Sequence, residues 1–215
     1  MSWMARVGFV SILVFVASLL TLHLANPEPP QHLSGFVHTP LAWLWIVSLC
    51  AFALGGIALT LELRKRLVTN PFRGAGITML WLSALGALVL AAFPVDADPY
   101  NRTTLGLIHE DAGPPTFLLA AGAMLVLSPA FYAARGWRPF AALSLVCGLL
   151  ATAFALSYVF ATLAGDEMAG VLQRILIGCI IAWMFLVSLR LLRRPKAAPE
   201  ESKPAGATPR PTCAI

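Results

Sequence analysis

The sequence predicts an all-α, polytopic membrane protein: a bundle of six transmembrane helices with both termini in the cytoplasm. Three observations lead there. The chain is 59% hydrophobic and only 12% charged, against about 45–50% and about 25% in ordinary soluble domains. Its apolar residues fall into six runs of spanning length. The loops between those runs alternate in charge.

The six runs cover about residues 7–24, 41–61, 75–93, 116–134, 139–163 and 171–192. Each is near the ~20 residues that cross about 30 Å of hydrocarbon at 1.5 Å per residue. They lack the alternation of a membrane β-barrel strand, and only closed helices or closed barrels satisfy the backbone in lipid. The first run, preceded by Arg6, has a cleaved signal peptide as its rival reading. It is long for a signal core, and Leu-His-Leu-Ala before Asn26-Pro27 is a poor cleavage site, so a retained helix is expected. Pro40 and Pro114-Pro115 mark expected helix starts, where a first-turn N–H has no partner within the helix. Residues 1–194 thus form one six-helix domain. The stretch 195–215, rich in Pro, Ala and charge, reads as a disordered cytoplasmic tail.

Orientation follows from the loops. Residues 26–39 hold no Lys or Arg, whereas 62–74 hold Arg64, Lys65, Arg66 and Arg73. Residues 94–115 hold only Arg102 among Asp96, Asp98, Glu110 and Asp111. Arg135 and Arg138 follow, then Asp166 and Glu167, then Arg190, Arg193, Arg194 and Lys196. The positive-inside rule places the basic loops and both termini in the cytoplasm, in a cell (inner) membrane. The net charge of +5 is therefore spread in clusters beside apolar runs, with no basic stripe that would fit nucleic acid. Of the four cysteines, Cys50, Cys147 and Cys179 sit in apolar runs and Cys213 in the tail. No CxxC pair or zinc-type spacing occurs, and no disulfide is expected.

Groups able to do chemistry gather in the outer loops and helix ends. Asp96 follows an apolar run within Phe93-Pro94-Val95-Asp96, at a boundary where a carboxylate is partly desolvated. Arg174 lies in the first turn of the sixth helix, where the macrodipole disfavours a cation, so an anion is expected beside it. Asp96 is the expected partner, as an ion pair joining the third and sixth helices; a lipid phosphate is the other. His109 can act as general base or metal ligand. With His32, His38 and Asp96 it offers a zinc-like ligand set, although no metal-binding spacing is present. His23 is expected to be interfacial, and the tryptophans to serve borders and packing.

These residues also carry a resemblance. Ser34 before the second helix, Phe93-Pro94-x-Asp96, His109 before the fourth helix and Gly170-x-x-Gln173-Arg174 opening the sixth resemble the pattern of a prokaryotic six-helix family. That family is catalogued as domain of unknown function 998. The resemblance covers the chain from the first helix to Leu192 and implies a shared outer-face site at Ser34, Asp96, His109, Gln173 and Arg174. It implies no particular activity and no cofactor. Three functions remain open. One is an outer-face site that binds a lipid headgroup, a small ligand or a partner helix, with a partner membrane protein or a second copy as neighbour. Another is an intramembrane hydrolase or transferase using Asp96 and His109, with or without a metal. The third is a small transporter, for which no broken helix or inverted repeat speaks. Cysteines introduced at Asn101 and Lys196 should react with an impermeant thiol reagent from opposite sides of the membrane. Reaction of both from one side would refute the topology.

Overall fold

A computed structural model describes residues 2–98 and 100–193. The expected tail, Cys213 included, lies outside the described residues. Six α-helices follow one another: α1 (Trp3–Ala25), α2 (Ala42–Arg66), α3 (Pro71–Ala92), α4 (Thr104–Ala133), α5 (Arg138–Leu163) and α6 (Ala169–Leu192). A 3-10 helix, Leu33–His38, sits in the α1–α2 connection. All six α-helices are long and apolar enough to cross a membrane. The chain is a multi-pass helical membrane protein.

Local chemistry extends several helices beyond their apolar runs. Ser2 caps α1, its side chain accepting from the Ala5 N–H, so the helix takes in Arg6. Asn70 caps α3 in the same way through the Arg73 N–H, with Pro71 in the first turn. The basic end of α2 stays helical through Arg66, where cations suit the negative end of the macrodipole. There Glu62, buried, takes Lys65 at 3.2 Å and Arg66 at 4.0 Å.

The α4 start departs from the sequence reading. Tandem Pro114-Pro115 suggests a beginning near Thr116, but the helix begins at Thr104 and runs through both prolines. Two features allow this. Thr103 caps the helix through the Gly106 N–H, and the prolines remove only two donors, those that would serve the carbonyls of Glu110 and Asp111. Asp111 is solvent-exposed, so water can take the place of a donor there. At 30 residues the helix is about 45 Å long. That is longer than the ~30 Å of a hydrocarbon core requires, and the turns added at its start carry His109, Glu110 and Asp111.

Each helix packs against its sequence neighbours, and α1 closes on α6 to complete a ring. Cross-helix pairs show the antiparallel order. Ser128 Oγ donates to the Ala141 carbonyl at 2.8 Å, and Ser144 Oγ to the Met124 carbonyl at 2.7 Å. Trp183, fully buried, donates its indole N–H to Ser144 Oγ at 2.9 Å, so one polar chain ties α4, α5 and α6 where lipid offers no alternative partner. Small residues let backbones approach elsewhere: a Cβ on Gly76 would overlap Leu127 of α4, and one on Gly148 would overlap Leu125. The alternation leaves two unlike ends. The basic end gathers the α2–α3 and α4–α5 turns with the end of α6; the polar end gathers the α1–α2, α3–α4 and α5–α6 connections.

Candidate binding site at the polar end

At the polar end a cavity of about 670 Å³ is bounded by the 3-10 segment, α4, α5 and the start of α6. Its polar lining includes His32, Ser34, Asp96, His109, Glu110 and Gln173, and its apolar lining includes Trp45, Leu90, Phe117 and Leu163. Four of the five residues singled out in sequence, Ser34, Asp96, His109 and Gln173, thus border one space. The fifth, Arg174, stands behind it.

Arg174 does not pair with Asp96. Its Nε donates to His23 Nε2 at 3.2 Å. Its Nη1 donates to the Gln31 carbonyl at 2.7 Å and the Gly170 carbonyl at 2.9 Å. Its Nη2 donates to the Pro30 carbonyl at 2.7 Å. Backbone and imidazole acceptors supply the electron density that the sequence reading sought in a carboxylate. His23 suits the role because its Nδ1 faces the Leu19 carbonyl at 2.8 Å. A carbonyl can only accept, so Nδ1 carries the proton and Nε2 keeps the lone pair. Gly170 makes the approach possible, since a Cβ there would run into the Gln31 carbonyl. The neighbouring Gln173 fixes the same loop from the other side, its Oε1 accepting from the buried Leu33 N–H at 2.8 Å. Its amide also reaches Tyr158 Oη at 3.5 Å, a weak contact.

Asp96 braces a different segment. Its carboxylate accepts from the Thr103 N–H at 2.7 Å and from Thr103 Oγ1 at 2.7 Å. The hydroxyl bond to Thr103, then the backbone one, hold the carboxyl below the usual carboxylate range. Gly106 leaves the room, because a Cβ there would overlap the carboxylate. Asp96 thereby fixes the residue that caps α4. His109, buried in the second turn of α4, donates from Nδ1 to the Phe93 carbonyl at 2.7 Å, leaving Nε2 with a lone pair. The Phe93-Pro94-x-Asp96 motif therefore stitches the end of α3 to the start of α4 at two points. Asp96 and His109 are each engaged with a different partner.

The zinc-like set is not assembled. Among the described residues no three of His, Cys, Asp and Glu lie close enough to hold a metal ion. His109 is turned to Phe93, Asp96 to Thr103, and His38 is exposed outside the cavity lining. His32 does line the cavity, and its buried Nδ1 has no hydrogen-bond partner among the described residues. Burial first, and the Arg174 charge second, lower its pKa, so the ring is held neutral. Tyr158, which the sequence reading passed over, borders the cavity from α5. Its hydroxyl does not stand out in sequence, because Ser144, Thr152, Ser157 and Thr162 share the same helix. Arg102 and Glu110 meet at 3.4 Å on the rim.

Fold and site together define a six-helix membrane protein with a lined cavity at one end. A model of the family described as "protein of unknown function (DUF998)" matches residues 9–190, and the chain belongs to that family. No curated protein and no solved structure matches the chain.

With no shared partner, Asp96 and Arg174 should act independently. The losses of unfolding free energy of Asp96→Asn and Arg174→Gln, measured in detergent, should add in the double variant to within about 0.5 kcal/mol. A double-variant loss well below the sum would restore the ion pair that the geometry removes.

Proposed function

We propose that the protein binds an amphipathic molecule, a membrane lipid or a small ligand of similar build, in the cavity at its polar end. Positive-inside alternation supports placing that end outside the cytoplasmic membrane and the basic end within the cell. The observation that carries the reading is the 670 Å³ cavity itself, which sets the polar side chains of His32, Ser34, His109 and Gln173 against the apolar Trp45, Leu90, Phe117 and Leu163.

The lining indicates the ligand's build. Trp45, Leu90, Phe117 and Leu163 suit a hydrocarbon or aromatic body, while His32, Ser34, Gln173 and Tyr158 offer hydrogen bonds to a head. The charges on the lining are Asp96, Glu110 and Arg102, so with neutral histidines the net charge is −1. A zwitterionic or amine-bearing head is therefore favoured over an anionic one, and phosphatidylethanolamine is the simplest membrane lipid of that kind. The hydrolase reading needs Asp96 and His109 to act on one substrate together. Their engagement with Thr103 and with Phe93 gives that reading no support.

Gly113 offers a clean test. It lines the cavity, and a Cβ on it would meet nothing within 4 Å. A bulky side chain there has room, but Pro114 follows, and a Cβ before proline disfavours the helical backbone, so Gly113→Ala serves as the backbone control. Gly113→Phe should bind phosphatidylethanolamine at least about tenfold more weakly than both the parent and Gly113→Ala in native mass spectrometry from neutral detergent, a change of about 1.4 kcal/mol. Equal retention by parent and variant would refute this cavity as the site.

A further inference from the structure

The basic end holds a second, smaller cavity of about 220 Å³, bordered by Arg66 from the end of α2, Arg135, Gly136 and Trp137 from the α4–α5 turn, and Arg190, Leu191 and Arg193 from the end of α6. A single water needs only about 10–15 Å³, so the space admits a phosphate group. We infer that this cavity is an anion site that takes the phosphate of an anionic phospholipid headgroup or free inorganic phosphate.

Charge is the first support. Four guanidinium groups from three segments border one space, and among the described residues no carboxylate lines it. Among the described residues, Glu62 is engaged with Lys65 at 3.2 Å and reaches only Arg66 of the four, at 4.0 Å. Among the described residues, Arg135, Arg190 and Arg193 have no acidic partner within 4.0 Å. Clustered like charges repel one another, and a bound anion reverses the sign of that energy.

Geometry is the second. Arginines at a membrane edge ordinarily extend their flexible side chains toward the headgroups, but Arg190 is fixed in place. Its Nη2 donates to the Gly136 carbonyl at 2.8 Å, and its guanidinium lies over the Trp137 ring at 5.8 Å. Gly136 has φ 78°, a left-handed conformation that favours glycine and that turns the chain tightly between α4 and α5. Trp137 is itself held, stacked on Phe131 at 5.3 Å. A guanidinium so fixed loses little freedom on binding, and its planar fork matches phosphate oxygens two at a time. The cavity lies where α2 and α6 end and α4 turns into α5, and the ends of spanning helices are where a bundle meets the headgroups.

The site differs from the polar-end cavity in position, charge and ligand, and the two are tested separately. The full chain in an uncharged maltoside detergent is titrated with dioleoylphosphatidylglycerol, with dioleoylphosphatidylcholine and with inorganic phosphate, reading the melting temperature. Arg135→Gln/Arg193→Gln removes two exposed lining charges and leaves Arg190 in its seat. Arg6→Gln/Arg64→Gln removes two exposed charges from the same end but outside the lining. Phosphatidylglycerol should raise the melting temperature saturably and at lower concentration than phosphatidylcholine. The lining variant should shift the midpoint at least about tenfold, equivalent to about 1.4 kcal/mol, and the control variant should not. A rise with inorganic phosphate equal to that with phosphatidylglycerol, lost in the same variant, would identify the soluble anion as the source. No rise with any of the three, or equal weakening in both variants, would overturn the site and leave only diffuse surface charge.

Discussion

The polar end depends on one guanidinium. Arg174 spends four of its five N–H donors on His23, Gln31, Gly170 and Pro30, joining the end of α1, the α1–α2 connection and the start of α6. An arginine near hydrocarbon is costly unless its donors are satisfied, and here carbonyl dipoles and an imidazole satisfy them. Because Pro30 and Gln31 are seated, the chain that follows is positioned to send the Leu33 N–H to Gln173 and to set His32 and Ser34 against the cavity. The two glycines at these junctions, Gly170 and Gly106, are needed for space, one facing a carbonyl and the other a carboxylate.

A second, separate brace forms the opposite wall. Asp96 fixes Thr103, Thr103 caps α4, and His109 returns to Phe93 one turn higher. The cavity lies between a wall held by Arg174 and a wall held by Asp96. Its lining is net negative, whereas the basic end presents four arginines around its own cavity. The two ends of the bundle thus carry cavity linings of opposite charge.

The helices were legible because the bilayer dictates their length and composition, and the pattern of apolar runs records that directly. The start of α4 was not, because tandem proline suits a first turn so well that it outweighs the weaker cap signal of Thr103 eleven residues before Pro114. The sequence also marks Asp96, His109, Gln173 and Arg174 as notable without revealing their partners. An arginine in a first turn asks for an acceptor, and side-chain patterning brings a carboxylate to mind. The acceptors it found are mostly backbone carbonyls, which every residue carries and no sequence distinguishes. The same is true of His109 and the Phe93 carbonyl. The four arginines of the basic end were visible as charge, but only the fold brings three distant segments around one space.

The central claim is that Arg174 holds the α1–α2 connection in place and so builds the cavity wall. Amide hydrogen exchange of the detergent-solubilised protein, parent against Arg174→Gln, measures this most directly. Protection at Leu33, whose N–H is given to Gln173, should fall at least about tenfold, about 1.4 kcal/mol of local opening, while the buried centre of α6 around Trp183 stays protected. Unchanged protection at Leu33 would contradict the account.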